Sequence, residues 1–437
     1  MRLGLYSLVA WGVAWGAACI QIPPPPEPLR AQDDASDDNP VPDLGDDAHD
    51  PPEDLPYDGP PDLDEDTPDE EELPFDPPPD LPPDDPSDDP ADLDDDAPDE
   101  PDVACPEGTC GPGCEVCRGE QRCVEGRCQG PPPWEALLEE RVGFGREARG
   151  GQGGALCVVT RLDDDLAAGS LRACLDLPGP RWVRFEASGV LSLASPLVVP
   201  SFTTLDGRGA NVTLTGQPVV LNGAEHVILH NLALRDGVLE NRDLLEVQAS
   251  IHVWLDRLTL RRSVDELLGV VEGSRAVTVS RCVFEDQEQA SGILIGNDAA
   301  SPGDEVQEVT LHHNWFRFVR SNLPRLRFGK VHAFNNFYES WESEPLWVTM
   351  GGQLASERNV FMAPSPLAAV ARTTREAEEE GFVRSTDDLL LFATFTPNGE
   401  DRVFDPADLY PYEPDNTLAL PERVRLTAGR RDEPFPE

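Results

Sequence analysis

Between Trp182 and Phe361 one short phrase keeps returning: HVILHNLAL, HVWLDRLTL, AVTVSRCVF, EVTLHHNWF, KVHAFNNFY and QLASERNVF. Aligned on Val227, Val253, Val277, Val309, Val331 and Leu354, the copies stand roughly 22 to 32 residues apart, the period of a solenoid. Each copy alternates apolar and polar residues, is rich in β-branched side chains and is flanked by turn residues, so each reads as a strand. A single strand of this kind has nothing to bury its apolar face against. Stacking the copies as parallel coils buries all those faces in one continuous core. The variable unit length and the lack of a helical half exclude a leucine-rich repeat. The fold class that follows is all-β, a parallel β-helix.

Asn314, Asn336 and Asn359 fall at equal offsets in the last three copies. They predict an asparagine ladder at one inner corner, each amide bonding the next coil. His312 and His313 lie beside it and read as packed coil residues rather than catalysts. The charged stretch TTREAEEEGF, residues 373–382, reads as a short exposed helix in a late loop or over the end of the solenoid.

The rest of the chain divides by composition. Residues 1–19 have Arg2, an apolar core and small residues before Cys19, the layout of an export signal. The GAAC ending resembles a bacterial lipobox, with Gly16 where leucine is usual, and points to a lipid anchor on Cys19 and an outer-surface or periplasmic lipoprotein, with ordinary signal cleavage and secretion as the alternative. Residues 20–104 form an Asp/Pro-rich spacer. From Ile22 to Ala104 it carries 33 carboxylates against one cation, Arg30, and cannot bury enough apolar surface to order itself. Residues 105–130 hold six cysteines, Cys105, Cys110, Cys114, Cys117, Cys123 and Cys128, in a segment too short for a hydrophobic core. In an exported chain they imply a small disulfide module whose pairing the sequence leaves open. Residues 131–437 form the solenoid domain. Within it Cys157 and Cys174 could pair with each other, and Cys282, in a strand pattern, reads as a buried free thiol.

At a formal net charge of −49 the chain nevertheless gathers Arg320, Arg325, Arg327 and Lys330 within FRFVRSNLPRLRFGKVHAFNN, residues 316–336. This basic strip is small against the acidic total, which argues against nucleic acid as a partner. It suits an acidic chain, because arginine matches carboxylate geometry in a bidentate way.

Six ordered blocks run from about Val142 to Gly429: GFGREARGGQGG with AGSLRACL, TLDGRGANVTLTG, VWLDRLTL, VTLHHNWF, PRLRFGKVHAFNNFY and LYPYEPDNTLALPERVRLTAG. In these blocks the sequence resembles the pectate lyases of the parallel β-helix class, which implies a right-handed parallel β-helix. The resemblance implies calcium-dependent β-elimination on polygalacturonate, in which a base removes the C5 proton beside a carboxylate stabilised by Ca²⁺ and cationic side chains. In the family run R-x-P-x-x-R the first arginine is the base. Here the run reads Asn322-Leu323-Pro324-Arg325-Leu326-Arg327: the second arginine stands as Arg327, while the base position holds Asn322, whose amide has no useful basicity. Arg320, two residues along a strand, lies about 6.6 Å away, beyond direct proton transfer. Arg320, Arg325 and Lys330 are the expected substrate-binding cations.

Two more positions depart from the pattern. Counting back from Val309 puts Glu305 where the family has a lysine that contacts a substrate carboxylate. A like pair at 4 Å is unfavourable by about 4 kcal/mol at an effective dielectric near 20. The family calcium ligands map to Asp243 and Asp265, but the third position is Gly269, which implies a weak calcium site. Arg257 replaces the usual histidine after W-x-D and adds a cation nearby. Three readings therefore stay open. One is an impaired lyase acting on acidic polysaccharide. Another is a non-catalytic carbohydrate-binding or surface-interaction protein on the same scaffold. The third is a groove that uses another base, with Asp265 or Glu266 as candidates. A purely structural alternative makes Asp243, Asp256 and Asp265 exposed carboxylates paired by Arg325 and Arg327 across coils.

Overall fold

The computed structural model describes residues 127–285, 291–298, 300–375 and 377–436, with the short strands Thr109–Cys110, Glu115–Val116 and Arg122–Val124 before them. The expected signal and lipid anchor at Cys19, the expected acidic spacer and the pairing of the six-cysteine segment lie outside the described residues. Among the described residues no helix is long and apolar enough to cross a membrane.

Period-2 alternation becomes three parallel sheets of eight, ten and nine strands, here A, B and C. Consecutive coils contribute one strand to each sheet. In sheet B, Val227, Val253, Val277, Val309, Val331 and Leu354 stand in one register row, as the repeat alignment requires. All six are fully buried. Filling such a site with Val or Leu is worth about 1.5–3 kcal/mol, so the row is a principal source of cohesion. Sheet C turns an aromatic column inward. Phe284, Phe316, Tyr338 and Phe361 stack coil on coil, with ring centroids 5.0, 4.7 and 4.4 Å apart. This spacing is set by the distance of about 4.8 Å between adjacent strands.

An exposed first coil would be a template for foreign strands. Here the helix Leu171–Leu175 closes on it, capped by Ser170, whose hydroxyl accepts from Ala173 N. Its Leu171, Cys174 and Leu175 join the same core. The Cys157–Cys174 disulfide ties it to the first strand, Ala155–Val159.

The asparagine ladder is present and longer than three rungs. The Oδ1 atoms of Asn314, Asn336 and Asn359 accept from the backbone N–H of Cys282, Asn314 and Asn336. Cys282, a buried free thiol, and Asp388 continue the column at either end. Leu258 N donates to Cys282 Sγ, and Asn359 N donates to Asp388 Oδ1. Asp388 also accepts from the hydroxyls of Ser356 and Ser385, yet burial wins and pushes its carboxyl up to about 6. An acid whose folded value lies above its ordinary 3.8 helps stability below pH 4 and loses that contribution as pH rises through 6. Asp388→Asn keeps the acceptor for Asn359 and can donate to both serines. It is expected to stabilise the protein by about 1–3 kcal/mol at pH 8 and not at pH 4. Urea unfolding at both pH values checks this; an equal gain at both would refute it.

Candidate functional site

Sheet A carries the strip to which the functional expectations point. Six of its strands are needed: β1 (Leu245–Gln248), β2 (Leu268–Val271), β3 (Ile293–Ile295), β4 (Arg325–Arg327), β5 (Leu346–Thr349) and β6 (Ala371–Arg372). Val247, Val270, Ile295, Leu326 and Val348 share one inward row and are fully buried. The alternate positions form the outward row Glu246, Gly269, Leu294, Arg325, Trp347 and Arg372, with Arg327 beside Thr349 in the next row. The outer face thus changes from acidic over the early coils to cationic over the late ones.

At the acidic end Asp243, Asp265 and Glu266 each place one carboxylate oxygen within 4.8 Å of the others. Burial, then the neighbouring carboxylates, pushes the Asp243 carboxyl well up. Burial, then Asp265, does the same to Glu266. Three acids held this close need protons or a cation between them. The third acid comes from Glu266 and not from position 269. Gly269 has a different function, since a Cβ there would lie 1.9 Å from Asp243 Oδ2. The bare glycine is what lets Asp243 lie against β2.

Asn322 precedes β4 and faces this cluster. Its Nδ2 donates to Glu266 Oε1 at 3.2 Å, and its Oδ1 is buried without a partner. The position expected to bear the base is therefore a buried amide that neutralises nothing.

At the cationic end Arg325 and Arg327 do not pair with Asp243 or Asp265. Both hold Glu378, which arrives from the stretch expected to be helical. The described residues of that stretch form no helix: Arg375 bridges Glu378, and the segment lies on the edge of sheet A, where Met350 N donates to Glu379 O and Gly351 N to Glu380 O. Glu378 there meets three guanidinium groups, two of them on β4, charge-assisted contacts that an exposed helix would not supply. Arg325 Nη2, Arg375 Nη1 and Arg327 Nε lie 3.0, 3.1 and 3.4 Å from Glu378 Oε1, and Thr349 Oγ1 lies 2.6 Å from Oε2. Arg327 is fixed further by the carbonyls of Gly296 and Asn297. Arg325, Arg372 and Arg375 stand 3.9, 5.2 and 5.4 Å from the Trp347 ring centroid, a cation–π arrangement.

The remaining expected residues lie elsewhere. Arg320 is largely exposed beside Glu342 at 3.7 Å. Lys330 is in sheet B, on the strand Lys330–Phe334, 3.9 Å from Glu308. It does not share the face of Arg325 and Arg327. Glu305 is exposed in the 3₁₀ turn Pro302–Val306. Arg257 engages Glu433 at 2.7 Å, away from the carboxylates of sheet A. Asp256 is fully buried, contrary to an exposed carboxylate. Arg281, Ser280 and His230 hold it, and the Arg281 charge keeps its carboxyl far below the ordinary range despite burial. His312 and His313 are packed as expected. His312 stacks on Phe334 with centroids 5.0 Å apart, and His313 meets Asp415 at 2.9 Å. Sequence reasoning missed Glu378, Thr349, Trp347 and Arg375; the only signal was an unpaired acidic run lying some fifty residues from an unpaired basic one.

Comparison with known proteins adds to this geometry. The pectate lyase family pattern matches residues 192–400. The chain is 33% identical over 257 residues to probable pectate lyase 4 of Arabidopsis thaliana, covering 56% of this chain and 69% of the relative. Jun a 1, the major allergen from cedar pollen, superposes with a TM-score of 0.62 at 27% identity, over 68% of this chain and 95% of the allergen. Pectate lyase Bsp165PelA from Bacillus sp. N165, solved in complex with trigalacturonate, has the same fold, with a TM-score of 0.52 at 16% identity over 66% of this chain and 98% of that protein.

Proposed function

The chain belongs to the pectate lyase family, and from that premise we propose that it is an exported protein whose sheet A groove binds acidic polysaccharide of the polygalacturonate type, with the ordinary family proton abstraction lost. The observation that carries this reading is Asn322: the base position is a buried amide tied to Glu266. Arg325 and Arg327 are the cations that meet sugar carboxylates. Proton abstraction from carbon needs a group of matched basicity within about 3 Å of the proton, and an amide is not one.

The acidic end suits a calcium ion. Asp243, Asp265 and Glu266 would hold it, and the unpartnered Asn322 Oδ1 is a further oxygen beside them. Hard oxygen donors in this number are what Ca²⁺ takes, with water completing the shell. When bound, the ion supplies positive charge that bridges to a uronate carboxylate. Glu266 restores the charge that Gly269 withholds, so the site is better furnished than the loss at 269 alone implies. Calcium at about 100 times its Kd is expected to add about 2.7 kcal/mol to stability, raising the thermal midpoint by a few degrees. Asp243→Asn is expected to abolish that rise. A midpoint indifferent to calcium in the unaltered protein would count against the site.

A second reading is favoured by one observation: Glu266 is half-buried, its carboxyl is pushed up toward neutrality by burial, and Asn322 orients it. A carboxylate so tuned is a candidate base for an acidic sugar other than the family substrate. The deciding experiment incubates the protein with polygalacturonate and calcium. Ultraviolet absorbance of the unsaturated product reports turnover, and salt-sensitive retention reports binding. Retention without turnover supports the binding reading. Turnover of a polymer of another uronic acid in the same assay, absent with polygalacturonate and lost in Glu266→Gln, supports the second.

A further inference from the structure

Glu378 is an anomaly for a groove built to hold external carboxylates, because the carboxylate already in place belongs to the chain itself. Its side chain is only 8% exposed. One oxygen receives three guanidinium groups at 3.0–3.4 Å and the other receives the Thr349 hydroxyl. Such charge-assisted contacts are among the strongest polar interactions a protein makes, and their planar geometry suits any carboxylate, whether on a side chain or a sugar ring.

The residues around it have a different character. Ala377, Glu379 and Glu380 are exposed, and the turn keeps its place on the sheet edge through backbone bonds from Met350 and Gly351, while Gly381 N donates to Thr373 O. Among the described residues of this turn, Glu378 is the carboxylate held by the groove cations. Trp347 forms the floor below Arg325, and Asn297 and Gly296 fix Arg327 from behind, so the cradle has supports of its own. Arg325 lies two strands from Gly269, about 10 Å along the same outer row as the acidic cluster.

We infer that Glu378 occupies a uronate-carboxylate subsite made by Arg325, Arg327, Arg375 and Thr349, acting as a built-in competitor that a polysaccharide must displace. The inference rests on the acidic-polysaccharide reading of the groove and adds its regulation. A subsite filled by its own chain lowers the apparent affinity by the fraction of time it stands open. The carboxyl of Glu378 is held below its ordinary value: burial pushes it up, but the Thr349 bond and the three arginines outweigh that. It therefore stays charged and competitive through neutral pH.

The test is calorimetric titration of the full chain and of Glu378→Gln and Glu378→Ala with trigalacturonate in calcium, and separately with acetate. Glu378→Gln keeps the shape and the Thr349 contact while removing the charge, so it guards against a variant that fails to fold. Glu378→Ala is expected to bind trigalacturonate at least about tenfold more tightly than the unaltered chain, with Glu378→Gln between them. Glu378→Ala is also expected to take up acetate at concentrations the unaltered chain ignores. Equal trigalacturonate affinity in all three forms would overturn the inference while leaving the polysaccharide reading intact. Acetate uptake by Glu378→Ala with no trigalacturonate binding in any form would uphold the cradle and its occupant but overturn the polysaccharide reading. No acetate uptake by either variant, with folding preserved, would overturn the cradle itself.

Discussion

Asn322→Arg is expected to raise calcium-dependent formation of unsaturated product from polygalacturonate by about 10²–10⁴-fold, the usual contribution of a positioned acid–base group. The position already faces the correct surroundings. Asn322 precedes Pro324 and β4, its amide reaches Glu266 at 3.2 Å, and three carboxylates stand within reach of a longer cationic side chain. A guanidinium there would gain opposite charge instead of leaving a buried Oδ1 without a partner. Initial rates followed by ultraviolet absorbance, with and without a chelator, measure the effect. The same substitution placed on Glu378→Ala separates recovery of the base from removal of the competitor: the first raises kcat, the second lowers KM. Two results would sink the lost-base account. One is rapid turnover by the unaltered protein that Asn322→Arg does not increase; the other is turnover that disappears in Glu266→Gln while Asn322→Arg has no effect.

Asn336→Ala is expected to cost about 3–5 kcal/mol of stability, the largest single loss predicted for the scaffold. Asn336 is fully buried and uses its whole amide. Nδ2 donates to Leu311 O and Asn359 Oδ1, while Oδ1 accepts from Asn314 N and Asn314 Nδ2. Alanine leaves these groups in the core with no water to turn to, and each buried orphan costs about 1–3 kcal/mol. The effect is not shared evenly along the column, because the ladder rungs below and above lose a partner together. Urea unfolding followed by far-ultraviolet circular dichroism measures it. A loss under about 1 kcal/mol would show that the column follows the fold without holding it.

The same column separates local information from long-range information. The rungs were legible because coil length and strand alternation are properties of neighbouring residues: Asn314, Asn336 and Asn359 follow equal offsets in successive copies. The apolar row from Val227 to Leu354 was legible for the same reason, as was the pairing of Cys157 with Cys174, seventeen residues apart. Asp388 was not read as the next rung, because the coil between them is longer and the side chain is charged rather than amide.

The strip on sheet A was half legible. Its cations stood out against an acidic chain, and Asn322 stood out against the family run. Their partners did not. Glu378 reaches Arg325 and Arg327 across 53 and 51 residues, and nothing in a run of acids says which one turns inward. Lys330 sits only three residues beyond Arg327, yet the corner between sheets A and B sends it to another face. Glu266 joins Asp243 because Gly269 clears the space between their strands, a steric fact with no one-dimensional trace.

Repetition alone therefore determined that the chain winds as a parallel β-helix and where its core lies, while the family resemblance marked Asn322 as standing where a base is expected. Tertiary structure decided which acids share the groove and which carboxylate the arginines hold. The reason is range: periodicity and burial are set by nearest neighbours, whereas the pairing of charges on a partly buried sheet face is settled by turn geometry between coils far apart in sequence.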